Sequence, residues 1–220
     1  MTTKPTFQAI IFDMDGLLVD SEKVWQIAEE QLIAVRGRVY TDDVREQIIG
    51  LRLDEFMQKI KDIYQFEESL EALVEDLNTR MMDLIPKEVN AQPGAQEMIE
   101  YVRAQDIPCA IASSSPMSII DATIGAMGWD TSFANRFSAD DDARGKPAPD
   151  VYLRAVKTLG FDPAECLALE DSPNGSRAAV AAGMTCYAVP DPTHSTPDKF
   201  EGITPHVFSS LHEVLAKLKG

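Results

Sequence analysis

The sequence predicts an α/β fold, in which a doubly wound, Rossmann-like, mainly parallel sheet carries an inserted block of helices. Three observations lead to this prediction. Short, mostly apolar runs are typical of strands that are buried on both faces of a parallel sheet. Helical patterns lie between these runs, and strands that alternate with helices form open parallel sheets. Residues 22–91 break this alternation, because they show helical patterns and no convincing strand.

Four apolar runs predict the strands. They lie at 7–12, 107–112, 166–169 and 185–189. The helical patterns between and after them carry apolar residues at helical spacing. They lie at 93–103, 117–127, 149–159 and 174–182. Proline occurs near several of their starts, and Gly128, Gly160 and Gly183 follow three of their ends. This asymmetry between the two ends is typical of natural helices.

The stretch without strands predicts successive amphipathic helices. They lie at 22–36, 42–49, 52–64 and 69–84. We therefore expect two domains. The α/β core comprises residues 1–21 and 92–220, and the helical insert comprises residues 22–91.

The composition predicts an ordinary globular protein with an acidic surface. Of 220 residues, 45% are hydrophobic and 25% are charged, which argues against a disordered, collagen-like or disulfide-scaffold protein. The 36 acidic residues outnumber the 20 Lys and Arg residues, and the net charge is −16. Such a chain is a poor general partner for nucleic acids or anionic membranes. The positive charge for an anionic ligand must therefore be local.

Other features predict a cytoplasmic protein. No apolar run approaches the roughly 20 residues of a membrane span, and the N-terminus lacks a signal-peptide layout. Cys109, Cys166 and Cys186 lie in apolar runs, which favours buried, reduced thiols over a zinc site. We expect a monomer, because no segment has a coiled-coil pattern or an obvious interface strip.

The strongest chemical signal is a pair of acids after the first predicted strand. Asp13 and Asp15 are two residues apart, so their side chains point the same way in an extended chain. Close carboxylates repel each other unless a proton or a cation lies between them. The pattern predicts a Mg²⁺ site with one carboxylate available for nucleophilic or acid–base work. The alternative is a simple acidic turn.

A second acid pair, Glu170 and Asp171, follows another apolar run and precedes a helix. Hard cations take oxygen ligands from several segments, and Asp13, Asp15 and Asp171 can supply them. The alternative is that Asp171 or Ser172 caps the helix.

Two further segments suit a phosphate group. Ser113, Ser114 and Ser115 follow a predicted strand and precede a helix, where hydroxyl and backbone N–H groups can bind phosphate. Ordinary capping of the helix is the alternative. Lys146, in the proline-rich segment GKPAPD, supplies a local positive charge, although a lone lysine is usually a solvated surface residue.

Taken together and in this order, the four segments resemble the haloacid dehalogenase superfamily of phosphotransferases. The resemblance rests on DMDG at 13–16, Ser113, Lys146 in GKPAPD, and LEDSPNG at 169–175, and it spans essentially the whole chain. DGLLVDSE at 15–22 and IGLR at 49–52 add likeness to the branch of β-phosphoglucomutase and the sugar-phosphate phosphatases. The helical insert resembles the small helical cap of that family.

The resemblance implies a role for each matching residue. Asp13 would be the nucleophile that forms an aspartyl-phosphate, and Asp15 the general acid and base. Mg²⁺ would be held by Asp13, the Asp15 carbonyl and Asp171, with Glu170 as a less certain ligand acting through water. The phosphate-binding residues would be Ser113, Ser114 and Lys146, and Lys146 could also restrain the Asp13 carboxylate.

Departures from the family pattern favour a phosphatase. Trp25 stands where β-phosphoglucomutase has a cap histidine, and a tryptophan there is similar to hexose- and hexitol-phosphate phosphatases, including those acting on 2-deoxyglucose 6-phosphate. Gly50 and Arg52 match the cap loop that faces substrate in this branch. We expect a hydrolase for a small phosphorylated sugar or sugar alcohol. The alternatives are a sugar phosphomutase and a catalytically quiet binding protein on the same fold.

Overall fold

The computed structural model describes residues 7–48, 53–192 and 195–220. Its centre is a sheet of five strands, all parallel to their neighbours, in the order β3-β2-β1-β4-β5. The strands are β1 (Ala9–Phe12), β2 (Cys109–Ser113), β3 (Arg136–Ser138), β4 (Cys166–Glu170) and β5 (Thr185–Ala188). The predicted parallel α/β fold is confirmed.

Nine α-helices accompany this sheet within the described residues. They are α1 (Glu22–Ala34), α2 (Asp42–Glu46), α3 (Leu53–Tyr64), α4 (Leu70–Glu88), α5 (Ala95–Ala104), α6 (Met117–Met127), α7 (Asp150–Leu159), α8 (Pro173–Ala181) and α9 (Leu211–Lys219). No helix in the described part of the chain is both long and apolar enough to cross a bilayer.

The chain forms two compact units. One comprises Met1–Asp20 and Asn90–Gly220, and the other comprises Ser21–Val89. The first contains the sheet, and the described part of the second contains helices α1–α4. The role of the helical unit as a cap stays a prediction.

The strand pattern follows from burial on both faces. All four residues of β1 are buried, as are all five of β4, which explains why these strands are apolar throughout. The sequence pattern does not predict β3, because Arg136–Ser138 is short and has polar residues at both ends. It pairs with β2 at the edge of the sheet.

Several helix ends differ from the prediction. The sequence pattern predicts that the fourth helix of the insert ends at residue 84, ahead of Pro86, but α4 continues to Glu88. Its buried face continues through Met81 to Ile85, so packing offsets the hydrogen bond that proline removes. Helix α9 was also not predicted. Its first turn is capped by the Ser210 side chain, which accepts a hydrogen bond from Glu213 N–H.

Candidate active site

The candidate site lies at the carboxyl ends of three neighbouring strands. Strand β1 lies between β2 and β4. Asp13 follows β1 directly, and its N–H donates to the Leu169 carbonyl of β4 at 2.9 Å. Ser113 ends β2 and Glu170 ends β4. Parallel strands bring these ends to one edge, where open α/β sheets bind their ligands.

Lys146 joins two of the predicted acids. Its ammonium nitrogen is 2.6 Å from Asp13 Oδ1, 2.6 Å from Glu170 Oε1 and 2.9 Å from the Ala112 carbonyl oxygen. An ammonium group has three protons, and these three acceptors use all of them. The Lys146 side chain is 6% exposed, so its charge is largely shielded from water. Burial lowers the pKa of Lys146, but the Asp13 and Glu170 carboxylates together outweigh this effect, so the pKa is raised and the lysine stays charged.

The loop that carries Lys146 is anchored from α7. The Arg154 guanidinium donates to both carboxylate oxygens of Asp142 at 2.9 Å and to the Ser138 carbonyl at 2.6 Å. This paired geometry holds the start of the segment that leads from β3 to Lys146.

Three buried carboxylates form the centre of the site. Oxygen atoms of Asp13, Glu170 and Asp171 all lie within 4.8 Å of one another. Burial raises the pKa of Asp13 well above its usual value, and Glu170, Asp171 and Asp15 add to this effect while Lys146 opposes it. The Lys146 ammonium contacts two of these carboxylates, those of Asp13 and Glu170. Three neighbouring carboxylates form an all-oxygen donor set, which suits Mg²⁺.

The Glu170 carboxylate already has several hydrogen-bond partners. Its Oε1 accepts from Lys146 and from the Tyr152 hydroxyl, and Oε2 lies 3.3 Å from Ser172 N and 3.1 Å from Ser172 Oγ. A carboxylate has about four lone-pair sites, so these contacts fill its capacity. Glu170 therefore has little capacity left for direct contact with a cation.

Asp15 is held by two serines at the end of β2. Its Oδ2 accepts hydrogen bonds from Ser113 Oγ and Ser115 Oγ, both at 2.9 Å. Ser115 N–H in turn donates to Ser113 Oγ at 2.9 Å. The other oxygen, Asp15 Oδ1, is buried and accepts no hydrogen bond from the described residues. A buried acceptor of this kind is available to a ligand.

Gly16 allows the turn after Asp15 to pass close to other acids. Its φ is +81°, which favours glycine, and a side chain there would overlap Asp171 Oδ2 and lie close to Asp191 Oδ2. The backbone after Asp15 therefore lies beside the Asp171 carboxylate. The use of the Asp15 carbonyl as a cation ligand stays a prediction.

The remaining predicted site residues differ in burial and in location. Ser114 is exposed, whereas Ser113 is fully buried. Trp25 lies on α1 in the helical unit and is partly exposed. Gly50 and Arg52 lie outside the described residues.

The sequence does not predict two contacts of this site. Ser115 belongs to the serine run, but no pattern in the sequence indicates its contact with Asp15. Tyr152 follows Lys146 by six residues, in the predicted helix at 149–159, and no pattern in the sequence pairs it with Glu170. A tyrosine at a buried helix position was the available signal, because its hydroxyl needs a partner.

Comparison with known proteins gives matches over most of the chain. A family model for haloacid dehalogenase-like hydrolases matches residues 10–189. Hexitol phosphatase B from Escherichia coli (strain K12) is 33% identical over 223 residues, covering 99% of this chain and 98% of that protein. A probable pseudouridine-5'-phosphatase from Drosophila melanogaster is 31% identical over 188 residues, covering 83% of this chain and 81% of that protein.

A solved structure agrees over nearly the whole chain. CbbY from Rhodobacter sphaeroides, in complex with phosphate, has a TM-score of 0.83 at 25% identity, covering 97% of this chain and 100% of that one. The family model spans most of the chain, so the resemblance and the enzyme class predicted from the sequence are confirmed. The chain belongs to the haloacid dehalogenase-like hydrolase family, among its phosphatases.

Proposed function

We propose that this protein is a Mg²⁺-dependent phosphomonoesterase that works through an aspartyl-phosphate on Asp13. The observation that carries the proposal is the Asp13–Lys146 pair beside Asp171, at the carboxyl ends of the strands. Asp13 Oδ1 is bound to Lys146, which leaves Oδ2 as the attacking oxygen. Phosphoryl transfer depends on positioning and on neutralising charge, and this cluster supplies both.

Asp13, the Asp15 carbonyl and Asp171 would hold the ion. When bound, Mg²⁺ supplies positive charge that neutralises the phosphoryl oxygens. Lys146 holds the Asp13 carboxylate in one orientation. Ser113, Ser114 and Lys146 are the phosphate-binding residues of the proposal, and binding through Lys146 requires one of its present hydrogen bonds to be exchanged.

In the first step, Asp13 Oδ2 attacks phosphorus and the bond from phosphorus to the substrate alcohol oxygen breaks. Protonated Asp15 gives its proton to that oxygen, and the alcohol leaves. In the second step, the Asp15 carboxylate takes a proton from water, and the water oxygen attacks phosphorus. The bond to Asp13 then breaks, which releases inorganic phosphate and restores both aspartates. The two serine hydroxyls on Asp15 Oδ2 leave Oδ1 for these proton transfers.

The proposed substrate is a small phosphorylated sugar or sugar alcohol. Support comes from the hexitol phosphatase relative, which matches nearly the whole chain. The second relative is named for a phosphorylated nucleoside. A screen must therefore include nucleotides as well as sugar and polyol phosphates. Trp25 offers an aromatic surface suited to a sugar ring.

The test is a phosphate-release screen over sugar, polyol and nucleotide monophosphates, with Mg²⁺ and with a chelator. We expect release that requires Mg²⁺ and falls at least about 1,000-fold in Asp13→Asn, because the nucleophile is removed. Asp106→Asn is the matched control. Asp106 is exposed and has φ +51°, a conformation that asparagine tolerates, so this variant should retain wild-type activity.

Two outcomes would overturn the proposal. Substantial activity in Asp13→Asn would exclude the covalent route. No phosphate release from any substrate, together with interconversion of glucose phosphates in the presence of a bisphosphate primer, would identify a phosphomutase instead.

A further inference from the structure

Tyr152 is a large polar side chain buried beneath the candidate site. It lies in the first turn of α7, its relative exposure is 0%, and its hydroxyl donates to Glu170 Oε1 at 2.7 Å. Lys146 Nζ is 3.4 Å from the same hydroxyl and 5.0 Å from the centre of the ring. Tyr152 therefore contacts both members of the Lys146–Glu170 pair.

Packing alone does not account for the hydroxyl group. A buried hydroxyl loses its hydration and needs a hydrogen-bond partner to offset that loss. Phenylalanine would fill the same space around the ring without this requirement. The hydroxyl is directed at a carboxylate, and hydrogen bonds to charged groups are the stronger ones.

The surroundings of Glu170 leave this carboxylate one orientation. Lys146 and Tyr152 bind Oε1, while the backbone and hydroxyl of Ser172 contact Oε2. Gly175, in the first turn of α8, provides the space, because a side chain there would overlap the Glu170 carboxylate. Rotation of the carboxylate would break contacts on both oxygens at once.

This orientation also determines where the Lys146 ammonium lies. Glu170 Oε1 and Asp13 Oδ1 are both 2.6 Å from Nζ, so the ammonium bridges the two carboxylates. If Oε1 moves, the ammonium loses one of its two charged partners. Its contact with Asp13 is then no longer fixed.

We propose that Tyr152 is a positioning residue whose hydroxyl holds Glu170 and, through Glu170, fixes the Lys146 ammonium against Asp13. The inference rests on the proposed function, in which Asp13 is the nucleophile. Tyr152 itself does not contact phosphate or substrate. Its removal affects the alignment of Asp13 and Lys146 and leaves the substrate-recognition surface intact.

The experiment compares the wild type, Tyr152→Phe and Tyr101→Phe. Tyr101 is the matched control, because its partly buried hydroxyl donates to the Leu218 carbonyl at 3.3 Å, outside the candidate site. The measurements are the thermal midpoint, kcat and KM for the best substrate of the screen, and NMR signals of ¹⁵N-labelled lysine ammonium groups. The variant Lys146→Gln identifies the Lys146 signal by its loss.

We expect Tyr152→Phe to fold and to lose about tenfold in kcat, with KM changed by less than about threefold. Its Lys146 ammonium signal should broaden, because the protons exchange faster with water once the group is held less tightly. Tyr101→Phe should match the wild type in kcat and in this signal.

The inference is overturned if Tyr152→Phe keeps both the wild-type kcat and a sharp Lys146 signal. It is also overturned if Tyr101→Phe shows the same losses, since the effect would then reflect general destabilisation. A wild-type protein that releases no phosphate refutes the proposed function separately. The NMR comparison needs no substrate, so it still decides whether Tyr152 holds Lys146.

Discussion

At the scale of single residues, the candidate site depends on saturated hydrogen bonding. Lys146 uses its three protons on two carboxylates and one carbonyl, and Glu170 uses the lone pairs of both oxygens. Lys146 and Glu170 therefore each have one favourable orientation, because rotation would break their hydrogen bonds. Asp15 differs from them, because two serines hold only its Oδ2. This difference fits the proposed roles, in which Lys146 and Glu170 hold the site in place and Asp15 transfers protons.

A change at Ser115 tests whether the orientation of Asp15 affects catalysis. The change Ser115→Ala removes one of the two donors to Asp15 Oδ2 and leaves the Ser113 contact in place. We expect kcat to fall about tenfold, because the acid–base group is less well oriented, with little change in thermal midpoint. Ser118→Ala, at an exposed position in the first turn of α6, is the control and should keep full activity. Wild-type kcat in Ser115→Ala would show that Ser113 alone orients Asp15.

At the scale of elements, the start of α8 packs closely against the Glu170 carboxylate. The Ser172 side chain caps this helix by accepting from Gly175 N–H, and its N–H and hydroxyl face Glu170. A negative charge is favoured at a helix N-terminus, where backbone N–H groups lack partners. The end of β4 and the start of α8 therefore stabilise each other.

Two glycine-to-alanine changes distinguish the steric role of Gly175 from the general effect of glycine on helix stability. We expect Gly175→Ala to lower the free energy of unfolding by about 1–3 kcal/mol, because the new methyl group overlaps the Glu170 carboxylate. Gly125 is exposed within α6, and a methyl group there meets nothing within 4 Å. Gly125→Ala should instead raise the free energy of unfolding by about 0.5–1 kcal/mol. Urea denaturation measures both, and equal effects would contradict the steric explanation.

At the scale of the whole molecule, negative charge is concentrated in a protein that is already acidic. The chain carries a net charge of −16, and three buried carboxylates lie close together at the candidate site, where Lys146 contacts two of them, Asp13 and Glu170. Folding must bring these carboxylates together against their repulsion. A bound divalent cation relieves that repulsion only in the folded state and therefore stabilises the fold.

Thermal unfolding with and without Mg²⁺ measures this linkage. Saturating Mg²⁺ should raise the thermal midpoint of the wild type by about 3 °C or more, relative to K⁺ at matched ionic strength. Asp171→Asn should lose most of this increase, because it removes a carboxylate from the cluster. Asp106→Asn should retain it. An undiminished increase in Asp171→Asn would place the stabilising cation elsewhere on the protein.

The sequence by itself predicts the parallel α/β fold, the helices of the insert and the acids of the candidate site. Apolar runs such as those at β1 and β4 can be recognised because both faces of those strands are buried. Asp13 follows β1 directly, Glu170 is the last residue of β4, and Asp171 comes after it. A short motif that follows a strand can be recognised in the sequence, because the strand and the turn after it are formed by consecutive residues.

Only the tertiary structure decided which of these groups touch. The contact between Ser115 and Asp15 spans 100 positions of the chain, and the one between Lys146 and Asp13 spans 133. Tyr152 lies only 18 positions from Glu170, yet no local pattern pairs them, because the contact depends on how α7 packs against the sheet. Edge strand β3 and the extension of α4 past Pro86 were missed for the same reason. In each case, packing between distant segments outweighs the local preference of the chain.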